Sequence, residues 1–145
     1  MSGDFTTLFV DTQKRDISRD PVLNLASMKF SYNFSFDDES DFDQAATDTG
    51  IAVANGKLIL DSGSSGYFVS LNKATTDDVS SVQVKARGED LENATFEVSA
   101  DNGNTWQAVT LEEVTSILNQ GNGLRLRIRL LANSARIEAA VVLYR

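Results

Sequence analysis

Ser99-Ala100-Asp101-Asn102-Gly103-Asn104-Thr105-Trp106 is the stretch of this 145-residue chain that decides its fold. The Asp101 carboxylate and the Ser99 hydroxyl are placed to accept hydrogen bonds from the amides of a tight turn. Gly103 permits the positive φ such a turn requires, and the Trp106 indole is expected to drop into the core beside it. On either side stand short apolar segments, Ala94 to Ser99 and Thr105 to Val109, so the octapeptide reads as the tip of a β-hairpin.

Working outward, the chain is punctuated as a series of strands. Phe30, Tyr32, Phe34 and Phe36 alternate with Lys29, Ser31, Asn33 and Ser35, the period of a half-buried strand. Ile51 to Ala54 and Lys57 to Leu60 flank Asn55-Gly56, which signals a two-residue type I′ turn. Tyr67 to Leu71, Ser80 to Ala86, Leu124 to Leu130 and Ile137 to Tyr144 complete the set, with Val82, Val84 and Ala86 on one face of their strand. One helix is expected over 110–120. There Thr110 and Glu113 fit a capping box, Leu111, Val114, Ile117 and Leu118 form an apolar stripe, and Gly121 supplies a left-handed stop. Residues 1–28 read as an extended arm, with apolar segments at 5–10 and 22–26 on either side of a polar stretch. Residues 29–145 read as the domain. Short strands with regular turns imply a sandwich, and the absence of an internal repeat argues against a propeller.

The composition narrows the chemistry. There is no Cys, which excludes disulfides, thiolate zinc sites and thiol catalysis. There is no His, which removes the commonest general base and any Ser-His-Asp triad. No apolar run approaches the ~18 residues of a membrane span, and no signal-peptide pattern opens the chain. A net charge of −8 disfavours nucleic acid as a partner. The charge is also uneven: residues 1–48 carry −6, whereas residues 121–145 carry +4, so the two ends could attract within a molecule or between neighbours.

Three constellations are candidates for contact with partners. Arg125, Arg127 and Arg129 alternate with Leu124, Leu126, Ile128 and Leu130, which sets three guanidinium groups about 7 Å apart along one strand face. They either meet cross-strand acids such as Glu97 or Glu138, or dock an acidic surface such as the 37–43 segment of a neighbour. Asp37, Asp38, Asp41 and Asp43, with Glu39 and Asp48, space oxygen ligands as an EF-hand loop does. Phe42 stands where that loop needs Gly, however, and Asp48 where it needs Glu. A generic calcium site or a solvated acidic loop is left. Ala139 to Tyr144 is apolar on both faces, so the arm or another subunit is expected to cover one of them. Tyr67 and Phe68 are candidate exposed aromatics.

The octapeptide is a complete match to the Asp-box, Ser-x-Asp-x-Gly-x-Thr-Trp, the hairpin repeat of sialidases and related β proteins. With "FEVSADNGNTWQAV", "GNGLRLRIRL" and "RIEAAVVLYR", the last third of the chain resembles the end of a carbohydrate-binding-module-like, galactose-binding-like jelly roll, a domain also found in bacteriophage virion proteins. The resemblance implies an all-β, jelly-roll-like antiparallel sandwich, in which Ser99, Asp101, Gly103, Thr105 and Trp106 are structural. The function expected from residues and resemblance together is non-enzymatic and structural, in a virion, without cofactor or bound metal. A capsid decoration (cement) protein comes first and a neck or tail component next. The partners expected are other virion proteins, capsid or tail subunits, and further copies of the chain, as a trimer if it decorates a capsid. The alternative is a carbohydrate-binding module with a glycan ligand.

Overall fold

The computed structural model describes Met28 and residues 30–145. Apart from Met28, which is buried, the expected arm and its two apolar segments lie outside the described residues. Eleven strands are described: β1 (Phe30–Ser35), β2 (Ile51–Ala54), β3 (Lys57–Leu60), β4 (Gly66–Val69), β5 (Lys73–Ala74), β6 (Ser81–Glu89), β7 (Ala94–Ser99), β8 (Gln107–Val109), β9 (Val114–Ser116), β10 (Gly123–Leu130) and β11 (Arg136–Tyr144). They form two antiparallel sheets in an all-β, jelly-roll-like sandwich.

The six-stranded sheet is centred on β11, which pairs with β6 along one edge and with both β1 and β3 along the other. Strand β9 closes it beyond β6, and β2 beyond β3. In the five-stranded sheet, β10 pairs with β7 on one side and with β4 and β5 on the other, and β8 follows β7. Asn55 and Gly56 both have positive φ, 54° and 74°, as the type I′ turn between β2 and β3 demands.

The core lies between the sheets. Leu124, Leu126, Ile128 and Leu130 of β10 face Val82, Val84, Ile137, Ala140 and Val142 of the opposite sheet, all buried. A register shift between Ile137 and Ala139 changes the phase of β11, so that Ile137 and Ala140 both turn inward. Phe68 of β4 is fully buried and bridges the layers. Its ring stands edge-on to Phe34, Phe36 and Phe42, with centroids 6.5, 5.3 and 5.1 Å away. The expectation of an exposed aromatic at Phe68 is therefore corrected. Val69 is buried beside it, and only Tyr67 of the pair points away from the core.

The expected helix over 110–120 is absent. The only helix among the described residues is the single 3-10 turn Leu91–Asn93. Glu112 has a positive φ of 73°, which breaks any helix there, and its amide donates to the Val84 carbonyl. Val114, Thr115 and Ser116 then pair with Gln83, Val82 and Ser81, supplying the open edge of β6 with a partner. The buried Gln83 amide donates to the Glu112 carbonyl at 2.7 Å and fixes the approach. The Glu113 amide donates to the Thr110 carbonyl in a turn. Tertiary pairing of a β-branched segment thus overrides the helical period. Of the apolar stripe, Ile117 is buried, Leu111 is half-buried, and Leu118 is 81% exposed. Gly121 is not left-handed either. A Cβ there would stand 2.5 Å from the Ala100 carbonyl oxygen, so it is close approach that calls for glycine.

Candidate functional site

The octapeptide joins β7 to β8, with Val98 opposite Gln107 and Phe96 opposite Val109. The buried Ser99 hydroxyl accepts from the amides of Gly103 (2.8 Å) and Asp101 (3.3 Å) and donates to the Asp101 carboxylate (2.7 Å). Asp101 in turn accepts from the Thr105 amide (2.9 Å) and the Thr105 hydroxyl (2.7 Å). Those bonds, with the Thr105 hydroxyl first, hold the Asp101 carboxyl below its ordinary range. Gly103 takes φ 86°. The tip is tied down sideways as well, because the Asn102 amide donates to the Gly123 carbonyl and the Gly123 amide to that of Ala100.

Trp106 departs from expectation. Its side chain is half-buried on the outer face of the five-stranded sheet, not inside the sandwich. The inward positions of this hairpin belong to Phe96 and Val98, and the indole instead covers the guanidinium of Arg127 at 4.4 Å from ring centre. On its other flank Arg127 lies 5.0 Å from the Tyr67 ring. Glu97, its cross-strand neighbour, accepts from Arg127 Nε at 2.8 Å. Cation, carboxylate and two aromatic rings therefore form one cluster on the sheet face.

The three arginines of the stripe share this face but have different partners. Arg125 is paired with Asp43 of its own chain and donates from Nε to the Ser70 carbonyl at 3.0 Å. The Arg125 guanidinium is the main reason the Asp43 carboxyl is held below its ordinary range. Asp43 reaches it because the acidic loop runs beside β4: the Asp43 amide donates to Val69, and the Leu71 amide to Asp41. Arg127 has Glu97. Arg129 has no carboxylate partner among the described residues; it lies 5.2 Å from the Tyr67 ring, with a long 3.4 Å contact to the Ser65 hydroxyl. Its Nε is buried without a hydrogen-bond partner.

The remaining expected partner residues are engaged locally. Asp41 pairs with Lys73 at 2.7 Å, Asp37 accepts from the Ser35 hydroxyl, and Asp38 accepts from the Ser40 amide. Asp48 accepts from the Tyr67 amide. Among the described residues no three acidic, His or Cys side chains gather in a way that could hold a metal ion. Glu138 belongs to the other sheet, where it pairs with Arg87 at 3.0 Å.

Two surface hollows adjoin these elements. One, about 570 Å³, crosses the outer face of the five-stranded sheet from Tyr67 and Arg129 past Thr95 to Val109 and Leu111. The other, about 370 Å³, lies on the six-stranded sheet over Ala139 and Val141, between Asn33 and Ser35 of β1 and Lys85 and Arg87 of β6. The second lies on the Ala139 to Tyr144 run whose outer face the sequence expects to be covered, whereas the walls of the first come from strands far apart in the chain.

No family model matches the chain, and no curated protein does. Among solved structures it is similar to part of a GH26-CBM35 β-(1,4)-mannanase of Podospora anserina. The identity is 11% and the TM-score 0.44, over 79% of this chain and 28% of the mannanase. This chain thus spans under a third of that enzyme's length. It is also similar to the CENP-C cupin domain of Drosophila melanogaster, at 9% identity and a TM-score of 0.25, over 73% of this chain and 75% of that one.

Proposed function

We propose that this chain is a non-enzymatic structural protein of a virus particle, a bacteriophage capsid decoration protein or a neck or tail component, acting through protein–protein contacts. The observation that carries the reading is the outer face of β11. Ala139, Val141 and Leu143 point away from the core in the middle of the six-stranded sheet, and all three are only half-buried. Their neighbours across the strands are Ser35, Asn33 and Ser31 on one side and Arg87, Lys85 and Gln83 on the other. An apolar floor between polar banks suits a protein interface with a dry centre and a wet rim.

The test is direct. Mass spectrometry of purified particles from the organism that encodes the chain should find it among their structural proteins, and light scattering should find an oligomer of the isolated protein. A monomer absent from particles overturns the reading. One observation favours a carbohydrate-binding module instead: half-buried Tyr67 and Trp106 on one outer sheet face. A glycan-array signal abolished by Tyr67→Ala, from a monomeric protein, would select that alternative.

A further inference from the structure

The hollow on the five-stranded sheet has an uneven lining. At one end stands Arg129, the member of the stripe whose charge is unmatched within the described residues, with the Tyr67 ring beside it and its own buried Nε unpaired. At the other end Leu91, Val109 and Leu111 give aliphatic walls, half-buried and packed against the core. The one carboxylate on its border, Glu97, is engaged by Arg127.

We propose that this hollow is a docking site for an acidic segment of a partner protein, in which a Glu or Asp carboxylate pairs with Arg129 and an adjoining aliphatic side chain fills the Leu91–Leu111 end. This rests on the assembly reading above and names the chemistry of one contact. Charge complementarity argues for the occupant. The terminal nitrogens of Arg129, whose one described hydrogen bond is the long contact to the Ser65 hydroxyl, gain a charge-assisted bond from an ionised acceptor. The aliphatic walls argue for polypeptide over sugar. Leu91, Val109 and Leu111 can bury an aliphatic side chain, which a glycan lacks, while Thr95 and Thr110 supply the hydroxyls of the lining.

The test titrates the full chain, labelled with nitrogen-15, with a blocked peptide carrying Glu beside Leu and with its Gln counterpart. The Glu peptide should move the Arg129 Nε–H resonance and the Leu111 amide, and bind about tenfold to a hundredfold more tightly than the Gln peptide. Arg129→Gln should abolish that preference while the chain still unfolds cooperatively. If that variant does not fold, the Glu-against-Gln comparison on the native chain decides. Equal binding of the two peptides, or an unmoved Arg129 signal, overturns the proposal. So does tighter binding of polygalacturonate, an acidic glycan, at Arg129. Particle association without peptide discrimination would remove this contact and leave the assembly reading standing. Discrimination by a monomer absent from particles would do the reverse.

Discussion

The Arg127 guanidinium sits between two rings, 4.4 Å from the centre of Trp106 and 5.0 Å from that of Tyr67. Trp106 is therefore a lid on a cation and not a core residue, which changes what its removal should cost. Trp106→Ala should destabilise the chain by about 1–2 kcal/mol in chemical denaturation, from lost partial burial and the cation–π contact. Phe68→Ala, which empties a fully buried site against three other rings, should cost about 3–5 kcal/mol. A Trp106 variant as damaged as the Phe68 one would place the indole in the interior.

Acid should weaken the fold through carboxylates held below their ordinary range, and two of them sit at the site. Asp43, beside Arg125, and Asp101, bonded to Thr105 and Ser99, both titrate below the ordinary 3.8 in the folded state. A carboxylate with a depressed folded pKa adds stability above its unfolded value and loses it as pH falls through the folded one. Stability should thus be full near neutrality and decline below about pH 4. In Asp43→Asn/Asp101→Asn the decline should be shallower, at the cost of lower stability at pH 7. Equal slopes for variant and native protein in denaturation series from pH 7 to 2 would refute this.

Beyond its pairing with β6, the segment after β8 is pinned at its end by one side chain. Gln107 donates from Nε2 to the Ser116 carbonyl at 2.7 Å and accepts from the Leu118 amide at 3.1 Å. Gln107→Ala should cost about 1–2 kcal/mol and speed hydrogen exchange at the Leu118 amide. The Ile117 amide, which donates to the Ser80 carbonyl, should exchange slowly in the native chain. A helical pattern of protection across 110–120 would contradict the strand seen here.

Ser99→Ala should loosen the hairpin tip. It removes the acceptor for the Gly103 amide and a donor to Asp101 in a buried position, which should cost about 1–3 kcal/mol. Nuclear magnetic resonance should locate the shift changes at 99–106 and, through the Asn102–Gly123 bond, at the start of β10.

The strands and the hairpin turns were legible because their signals are local. Asn55-Gly56 dictates its turn, and the alternation in Phe30 to Phe36 puts the aromatic rings on one face, of which Phe34 and Phe36 are buried while Phe30, at the start of the strand, is exposed. The helix over 110–120 was misread for the same reason: Thr110 to Leu118 satisfies a local period, and only the open edge of β6, distant in sequence, makes it a strand. The arginine stripe was visible as a pattern, but its partners were not. Asp43 lies 82 residues from Arg125, and nothing in the spacing says that it closes on its own chain and leaves Arg129 without a carboxylate among the described residues. Trp106 was assigned to the wrong side because a large apolar ring in a hairpin suggests the interior. The facing guanidinium that draws it outward comes from β10, another strand.

The place of β11 has a consequence for how the chain acquires its shape. This strand follows every other in sequence, yet it lies in the middle of its sheet, hydrogen-bonded to β1, β3 and β6 at once. Until residues 136–144 are available, those three strands have no common neighbour, and the six-stranded layer cannot be completed hairpin by hairpin as synthesis proceeds. Such non-local pairing makes folding slow and leaves β1 and β6 with open edges in the meantime. Removal of the last strand should therefore yield an aggregating chain and not a trimmed sandwich.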